Sequence, residues 1–269
     1  QLQQEEQPEQ DWELEVIADN DPKKVIIALL AEIVDISVIC STAFSPDGTC
    51  LAIGSDKTLR VYNIENDDFL LQYSFEDSEE GASKDKIHIR SISWTADNKQ
   101  IVCGGEDGQI RIIELPSGNL VNSFVACSGE VFQVQISNNG EFFAAATGDG
   151  SLSLFSMTNN YQKLRDAMTR TSSEDKQVIA TSLAISADDK IIAVGYSDNY
   201  VVFWNPKTGQ RLCEQSCHNN GVYAVKFLPE YNRFVTASLD FTIKIWNIVP
   251  NAEDPEKLSL ELWKTLEGH

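Results

Sequence analysis

Three short motifs carry the residue types of a serine acyl-transfer centre: Ser83-x-x-Lys86, Ser197-Asp198-Asn199 and Lys207-Thr208-Gly209. The chemistry would be attack by the Ser83 hydroxyl with Lys86 as its base, which needs a lysine desolvated enough to lose its proton near neutral pH. Ser83 instead lies in the acidic run EDSEEGASKDK (76–86), where nothing buries Lys86. A second constellation, His218, Ser238, Asp240 and Trp246, suits either a His–Asp catalytic dyad or a buried hydrogen-bond chain. In the second reading the imidazole bridges Asp240 and the Ser238 hydroxyl, and the indole N–H of Trp246 closes the chain. Such groups must be paired, because an unpaired buried polar atom costs about 1–3 kcal/mol.

What decides between these readings is the recurrence of the aspartate. Five segments repeat one another: GSDKTLRVYNI (54–64), GEDGQIRIIEL (105–115), TGDGSLSLFSM (147–157), YSDNYVVFWNP (196–206) and SLDFTIKIWNI (238–248). In each, an Asp stands six residues before a large apolar or aromatic residue: Asp56 before Tyr62, Asp107 before Ile113, Asp149 before Phe155, Asp198 before Trp204 and Asp240 before Trp246. The Asp is present in all five while the His is not, so the column is structural. Asp198 is then committed to a turn. Ser197-Asp198-Asn199 and Lys207-Thr208-Gly209 fall on one unit, and no enzyme is expected.

Upstream of each segment runs an alternating strand and a turn: STAFSPDGTCLAIG (41–54), SISWTADNKQIVCGG (91–105), VQISNNGEFFAAATG (134–148), LAISADDKIIAVG (183–195) and VKFLPEYNRFVTAS (225–238). Asp-Gly and Asn-Gly steps between β-rich runs are hairpin turns. The column positions are spaced by 51, 42, 49 and 42 residues, a period of about 40–45 with two insertions. Four short strands per unit at that period predict an all-β propeller. Its blades are expected over roughly 35–75, 87–125, 128–164, 177–215 and 218–265, within a propeller region of 11–269 that follows a Gln/Glu-rich linker, 1–10. The strand-like DWELEVI (11–17) is a candidate for closing the ring.

This arrangement resembles the WD-repeat family, whose units open on Gly-His and end their third strand on Trp-Asp. Here Asp35, Asp85, Cys127 and Lys176 stand where the His would fall, and His218 and His269 alone keep it. The closing LWKTLEGH (262–269) is similar to an outer strand followed by the Gly-His that starts a sixth unit. Seven units are usual in the family, so an incomplete array is expected. In the family, side chains just after the first inner-strand residue and just before the Asp form a partner-binding face. Those positions are Cys40, Arg90, Phe132, Thr181 and Tyr223, and Ser55, Glu106, Gly148, Ser197 and Leu239.

The order VICSTAFSPDGTCLAIGSDKTLRVYNI, an acidic insertion, then IHIRSISWTADNKQIVCGGEDGQIRI is similar to the first two repeats of the Tup-type general transcriptional corepressors of fungi, counterparts in role of Groucho. That resemblance implies a nuclear protein bound by DNA-bound repressors, with Cys40, His88, Glu106 and Phe132 turned to partners. It also implies a tetratricopeptide-repeat partner and histone tails. The alternative is a WD-repeat adaptor or scaffold, nuclear or cytoplasmic, such as a ubiquitin-ligase substrate receptor.

Composition agrees with a platform of this kind. The net charge of −20 repels nucleic-acid phosphates, so no direct DNA or RNA contact is expected. No apolar run reaches the about 20 residues of a membrane span: the longest, VIIALLAEIV (25–34), is broken by Glu32. The six cysteines include no CxxC pair and read as reduced core thiols, without a metal or cofactor. Thr171, Ser172 and Ser173 beside Arg165, Arg170 and Lys176 form a surface loop of a type open to phosphorylation.

Overall fold

The hairpin turns set the architecture. Ser45, Thr95, Ser137 and Ser186 each donate their hydroxyl to an Asp or Asn two residues on, and the turns pass through left-handed backbone at Gly48, Asn98, Gly140 and Asp189. Glycine, Asn and Asp tolerate that conformation, which is why these steps mark the hairpins.

The protein was analysed as a computed structural model that describes residues 13–14, 25–26, 37–64, 69–74, 88–165, 167–170, 178–228, 232–254 and 256–267. The chain forms two compact units, 1–36 and 37–269. In the first, β1 (Glu13–Leu14) pairs antiparallel with β2 (Val25–Ile26). The second holds five four-stranded antiparallel sheets, each ordered as in the sequence. Blade 1 is β3 (Ser41–Phe44), β4 (Cys50–Ser55), β5 (Thr58–Asn63) and β6 (Phe69–Ser74). Blade 2 is β7 (Ile89–Trp94), β8 (Gln100–Gly105), β9 (Gln109–Glu114) and β10 (Leu120–Val125). Blade 3 is β11 (Val131–Ile136), β12 (Phe142–Thr147), β13 (Ser151–Ser156) and β14 (Met168–Thr169). Blade 4 is β15 (Ala180–Ile185), β16 (Ile192–Tyr196), β17 (Tyr200–Trp204) and β18 (Arg211–Ser216). Blade 5 is β19 (Val222–Leu228), β20 (Arg233–Ser238), β21 (Thr242–Pro250) and β22 (Leu258–Glu267).

The fourth strand of blade 3 is interrupted: Gln162 and Leu164 hydrogen-bond Ser156 and Leu154 and Lys163 bridges Phe155, and β14 then lies past residue 164, paired with Ser151 and Leu152. Gly268 and His269, the start of the expected sixth unit, lie outside the described residues, as do Ser83, Lys86 and 171–177.

The cores lie between blades. Ala52, Leu59 and Val61 of blade 1 pack on Ile92, Trp94 and Ile101 of blade 2; equivalent clusters join blades 2 and 3, 3 and 4, and 4 and 5. Every residue of β12, β13 and β15 is therefore buried, as sheets covered on both sides require.

The inner strands β3, β7, β11, β15 and β19 are also joined by polar side chains. Ser41 donates to Ile89 O at 2.9 Å. Ser93 Oγ accepts the Ile136 N–H at 3.0 Å, and Gln133 Oε1 accepts the Leu183 N–H at 2.8 Å. Thr181 donates to Val222 O. In each case the side chain belongs to the earlier blade and the backbone group to the later one.

Candidate protein-binding face

The turn between second and third strands carries the Asp column, and each blade holds its Asp differently. In blade 5, Asp240 Oδ1 accepts the Thr242 N–H at 3.0 Å and the Thr242 hydroxyl at 2.6 Å. Its Oδ2 accepts from the Asn219 N–H at 3.0 Å and from His218 Nδ1 at 2.9 Å. Burial alone would raise the Asp240 pKa, but these hydrogen bonds outweigh it and hold the carboxyl well below the usual carboxylate range. Burial lowers the His218 pKa against the opposing pull of Asp240. With the imidazole neutral, the chain of donors runs one way: Trp246 Nε1–H to Thr236 Oγ1 at 3.0 Å, the Thr236 hydroxyl to His218 Nε2 at 2.7 Å, and His218 Nδ1–H to Asp240.

The hydroxyl in this chain is Thr236, not Ser238. Trp246 pairs with Phe234 across the sheet, so its indole reaches the residue two positions further along the same face. Ser238 lies another step toward the turn, where it donates to Asn220 O at 3.0 Å and accepts the Asp240 N–H at 3.1 Å.

Blades 2 and 4 put an arginine in place of the histidine. In blade 2, Arg111 grips both oxygens of Asp107 from four residues away on the same hairpin. In blade 4, the buried Arg170 takes the place: its Nη1 meets Asp198, its Nε donates to Glu214 at 3.0 Å, and its guanidinium lies 4.0 Å from the Tyr200 ring centroid. In blade 3, Asp149 accepts from the Thr147 hydroxyl at 2.6 Å and the Ser151 N–H at 3.1 Å. In blade 1, Asp56 Oδ1 is buried with no hydrogen-bond partner. Arg111 and Arg170 carry no repeat signal of their own, and the only clue to them is a cation near an Asp whose unit lacks a His.

The described parts of the acyl-transfer motifs are used structurally. Ser197 Oγ accepts the Ile179 N–H at 3.0 Å, Asp198 is held by Arg170, and Asn199 donates to His218 O at 2.9 Å. Burial pushes the Cys103, Cys213 and Cys217 thiols up to about 12, 11 and 12, and all six cysteines are free thiols.

At the same end of the blades lie two groups of side chains. In the first, Arg90 sits 2.5 Å from Glu106, 3.5 Å from Glu130 and 5.9 Å from the Phe132 ring centroid. Glu130 precedes the first inner-strand residue of blade 3, the position that His88 holds in blade 2, one residue before the positions expected to form the face. The second is apolar and belongs to blade 5: Tyr223, Leu239 and Phe241, with 49%, 53% and 73% of their surface exposed. Phe241 follows the column Asp, where the other blades place Lys57, Gly108, Gly150 and Asn199, all at positive φ. It adopts φ 65° itself, a conformation that is a genuine outlier for a bulky side chain.

Not every expected face position is open. Ser55 is buried and hydrogen-bonded to Thr58 at 2.8 Å, and Thr181 is buried against Gly195 O and Val222 O. His88 is only half-exposed: its backbone bridges to Asp56 and its Nδ1 is buried with no hydrogen-bond partner. Cys40 is half-buried beside the exposed Val38 and Ile39.

Comparison with known proteins agrees with this geometry. The family model described as WD domain, G-beta repeat, matches residues 35–63, 168–205 and 209–247, and the anaphase-promoting complex subunit 4 WD40 domain model matches 79–138. The Periodic tryptophan protein 2 homolog of Dictyostelium discoideum is 26% identical over 226 residues, 82% of this chain and 23% of that protein. WD repeat-containing protein 1 of Mus musculus is 23% identical over 215 residues, 78% of this chain and 33% of its own length. Protein FIZZY-RELATED 1 of Arabidopsis thaliana is 22% identical over 259 residues, 82% of this chain and 53% of its own. The chain thus spans between about a quarter and a half of these relatives, and none of the three is a Tup-type corepressor. Among solved structures, the Cps50 (Swd1) β-propeller domain of Myceliophteria thermophila superposes with a TM-score of 0.72 at 15% identity, over 86% of this chain and 72% of that one. A chain of the mitotic checkpoint complex gives 0.73 at 16% identity, over 89% and 68%.

Proposed function

The chain is a WD40-repeat β-propeller, and on that premise we propose that it is a non-catalytic platform that grips a partner protein at the blade end bearing Tyr223, Leu239 and Phe241. The observation that carries this is Phe241. A bulky side chain in left-handed backbone is strained, and strain of this kind, costing about 1–3 kcal/mol, clusters at ligand clamps. Leaving the ring in water adds no offsetting burial. Phe241 and Tyr223 are exposed aromatic residues of one blade, a type enriched at protein interfaces. The Arg90–Glu106–Glu130–Phe132 group supplies charged and aromatic contacts at the same end of the blades, and the His88 carbonyl accepts the Glu106 N–H.

The finer reading keeps the corepressor role: a nuclear platform held by DNA-bound repressors, with a tetratricopeptide-repeat protein and histone tails as further partners. It rests on the residue order of the first two repeats and on the acidic charge. The test is affinity capture from native cells with the wild-type chain and with Phe241→Gly, which relieves the strained backbone and removes the ring. Loss of captured proteins with unchanged folding supports the face. Repressors and histones among the lost proteins support the corepressor role, and an unchanged capture profile overturns the assignment.

A further inference from the structure

Blade 4 lines up its column Trp as blade 5 does, but without the hydroxyl that serves it there. Trp204 pairs with Ile192 across the sheet, as Trp246 pairs with Phe234. The residue two places further along is the one that the blade 5 indole reaches: Thr236, whose hydroxyl takes the N–H at 3.0 Å. In blade 4 that residue is Val194, fully buried, and a methyl group accepts nothing. The Trp204 N–H is buried with no protein partner among the described residues.

Two further polar atoms of blade 4 share this condition. Tyr196, where blade 5 has Ser238, is fully buried in the cluster that joins blades 3 and 4, and its hydroxyl has no partner among the described residues. Neither has Asp198 Oδ1, the remaining oxygen of a carboxylate whose Oδ2 meets Arg170. Burial raises the Tyr196 pKa, while the Trp204 indole and the Arg170 guanidinium pull it back, which places both near the hydroxyl. Indole and hydroxyl are therefore neighbours, yet they lack the geometry of a hydrogen bond with one another. Unpaired buried polar atoms are costly, and most in folded proteins are satisfied by protein or by ordered water. A buried water joins two to four of them as a rule.

We propose that blade 4 carries an internal water site, in which one molecule accepts the Trp204 indole N–H and hydrogen-bonds the Tyr196 hydroxyl, taking the part that Thr236 plays in blade 5. A hydrogen of the same water is available to Asp198 Oδ1. The chemistry of the three atoms selects this ligand. The indole only donates, the carboxylate oxygen only accepts and the phenol does either, so the occupant must both accept and donate, which a metal cation or a simple anion cannot do. The walls are closed: Val194, Tyr196 and Val202 are fully buried and Trp204 nearly so.

Val194→Thr tests this, because threonine keeps the shape of valine and puts its hydroxyl where Thr236 stands. A hydroxyl placed in a dry apolar core destabilises. Val201→Thr, on the opposite face of β17 among Phe203, Val222 and Phe234, is therefore expected to lower the urea midpoint, whereas Val194→Thr holds it at or above the wild-type value. Crystal structures of the wild-type chain and of Val194→Thr, at a resolution that shows ordered solvent, complete the test. The water is expected within hydrogen-bond distance of Trp204 Nε1 and Tyr196 Oη in the first and is displaced in the second. Wild-type density without that water overturns the proposal, as does a water that stays when the hydroxyl is present or a Val194→Thr midpoint that falls as far as that of Val201→Thr.

Discussion

Trp246 donates its indole N–H to the Thr236 hydroxyl across 3.0 Å, and that hydroxyl in turn serves His218. One oxygen therefore satisfies two buried nitrogens. Thr236→Val keeps the shape and orphans both, so it is expected to cost about 1–3 kcal/mol for each group left unpaired. Ser238→Ala, outside the chain, is expected to cost less. Urea unfolding of the two variants decides it: equal losses would return Ser238 to the chain.

Acid should weaken the fold in two windows. The His218 pKa is lowered from 6.5, so the unfolded chain binds this proton first and stability falls as pH drops below about 6.5. Asp240 is depressed from 3.8, so its contribution is complete above about 4 and is lost below it. Urea midpoints measured from pH 8 to 3 should fall in both ranges, and His218→Gln should remove the upper step alone. An upper step that survives in that variant assigns it to another group.

Arg170 is the anchor of blade 4. Its side chain is buried between Asp198 and Glu214 with the Tyr200 ring beside it. Removing one partner of a buried charge cluster costs about 3–5 kcal/mol, which is the loss expected for Arg170→Ala. Arg170→Lys should recover only part of it, since an ammonium lacks the planar fork that reaches two carboxylates and stacks on a ring. Thermal unfolding of both variants checks this, and full recovery by lysine would show that charge alone is at work.

Phe132→Ala should separate binding from folding. The ring is half-exposed beside Arg90, so its loss is expected to shift the urea midpoint by less than about 1 kcal/mol while reducing partner capture. Asp240→Ala should do the reverse, costing about 1–3 kcal/mol. Equal unfolding by both would abolish the distinction between column and face.

The strands and the Asp column were legible because both repeat: alternation fixes the strands, and the six-residue step from Asp to the aromatic column fixes the hairpin. Thr236 was misread by two residues because Thr236 and Ser238 share one face of β20, and only the register Phe234–Trp246 says which of them the indole reaches. Arg111 and Arg170 were hidden for a different reason. The column demands a cationic or polar partner for its Asp but not a fixed place in the sequence, so one blade draws it from the adjacent strand and another from a distant insertion. Phe241 is a ring where the other blades have Lys57, Gly108, Gly150 and Asn199, but it stands after the Asp, outside the positions expected to form the face, and its exposure required the fold.

The side chains that join the inner strands give the array a direction. Ser41, Ser93, Gln133 and Thr181 each complete a backbone group of the blade that follows. Peeling away blade 1 strips Ile89 O of its donor and leaves a main-chain group bare, and it also frees the Trp94 indole from Ala43 O, whereas peeling away blade 5 bares side chains of blade 4 alone in these contacts: Thr181, which keeps Gly195 O, and Gln215, which loses the Leu260 N–H and carbonyl. Nearest-neighbour coupling of this kind makes unfolding a front that travels, and here the front should advance more readily from the Ser41 end than toward it.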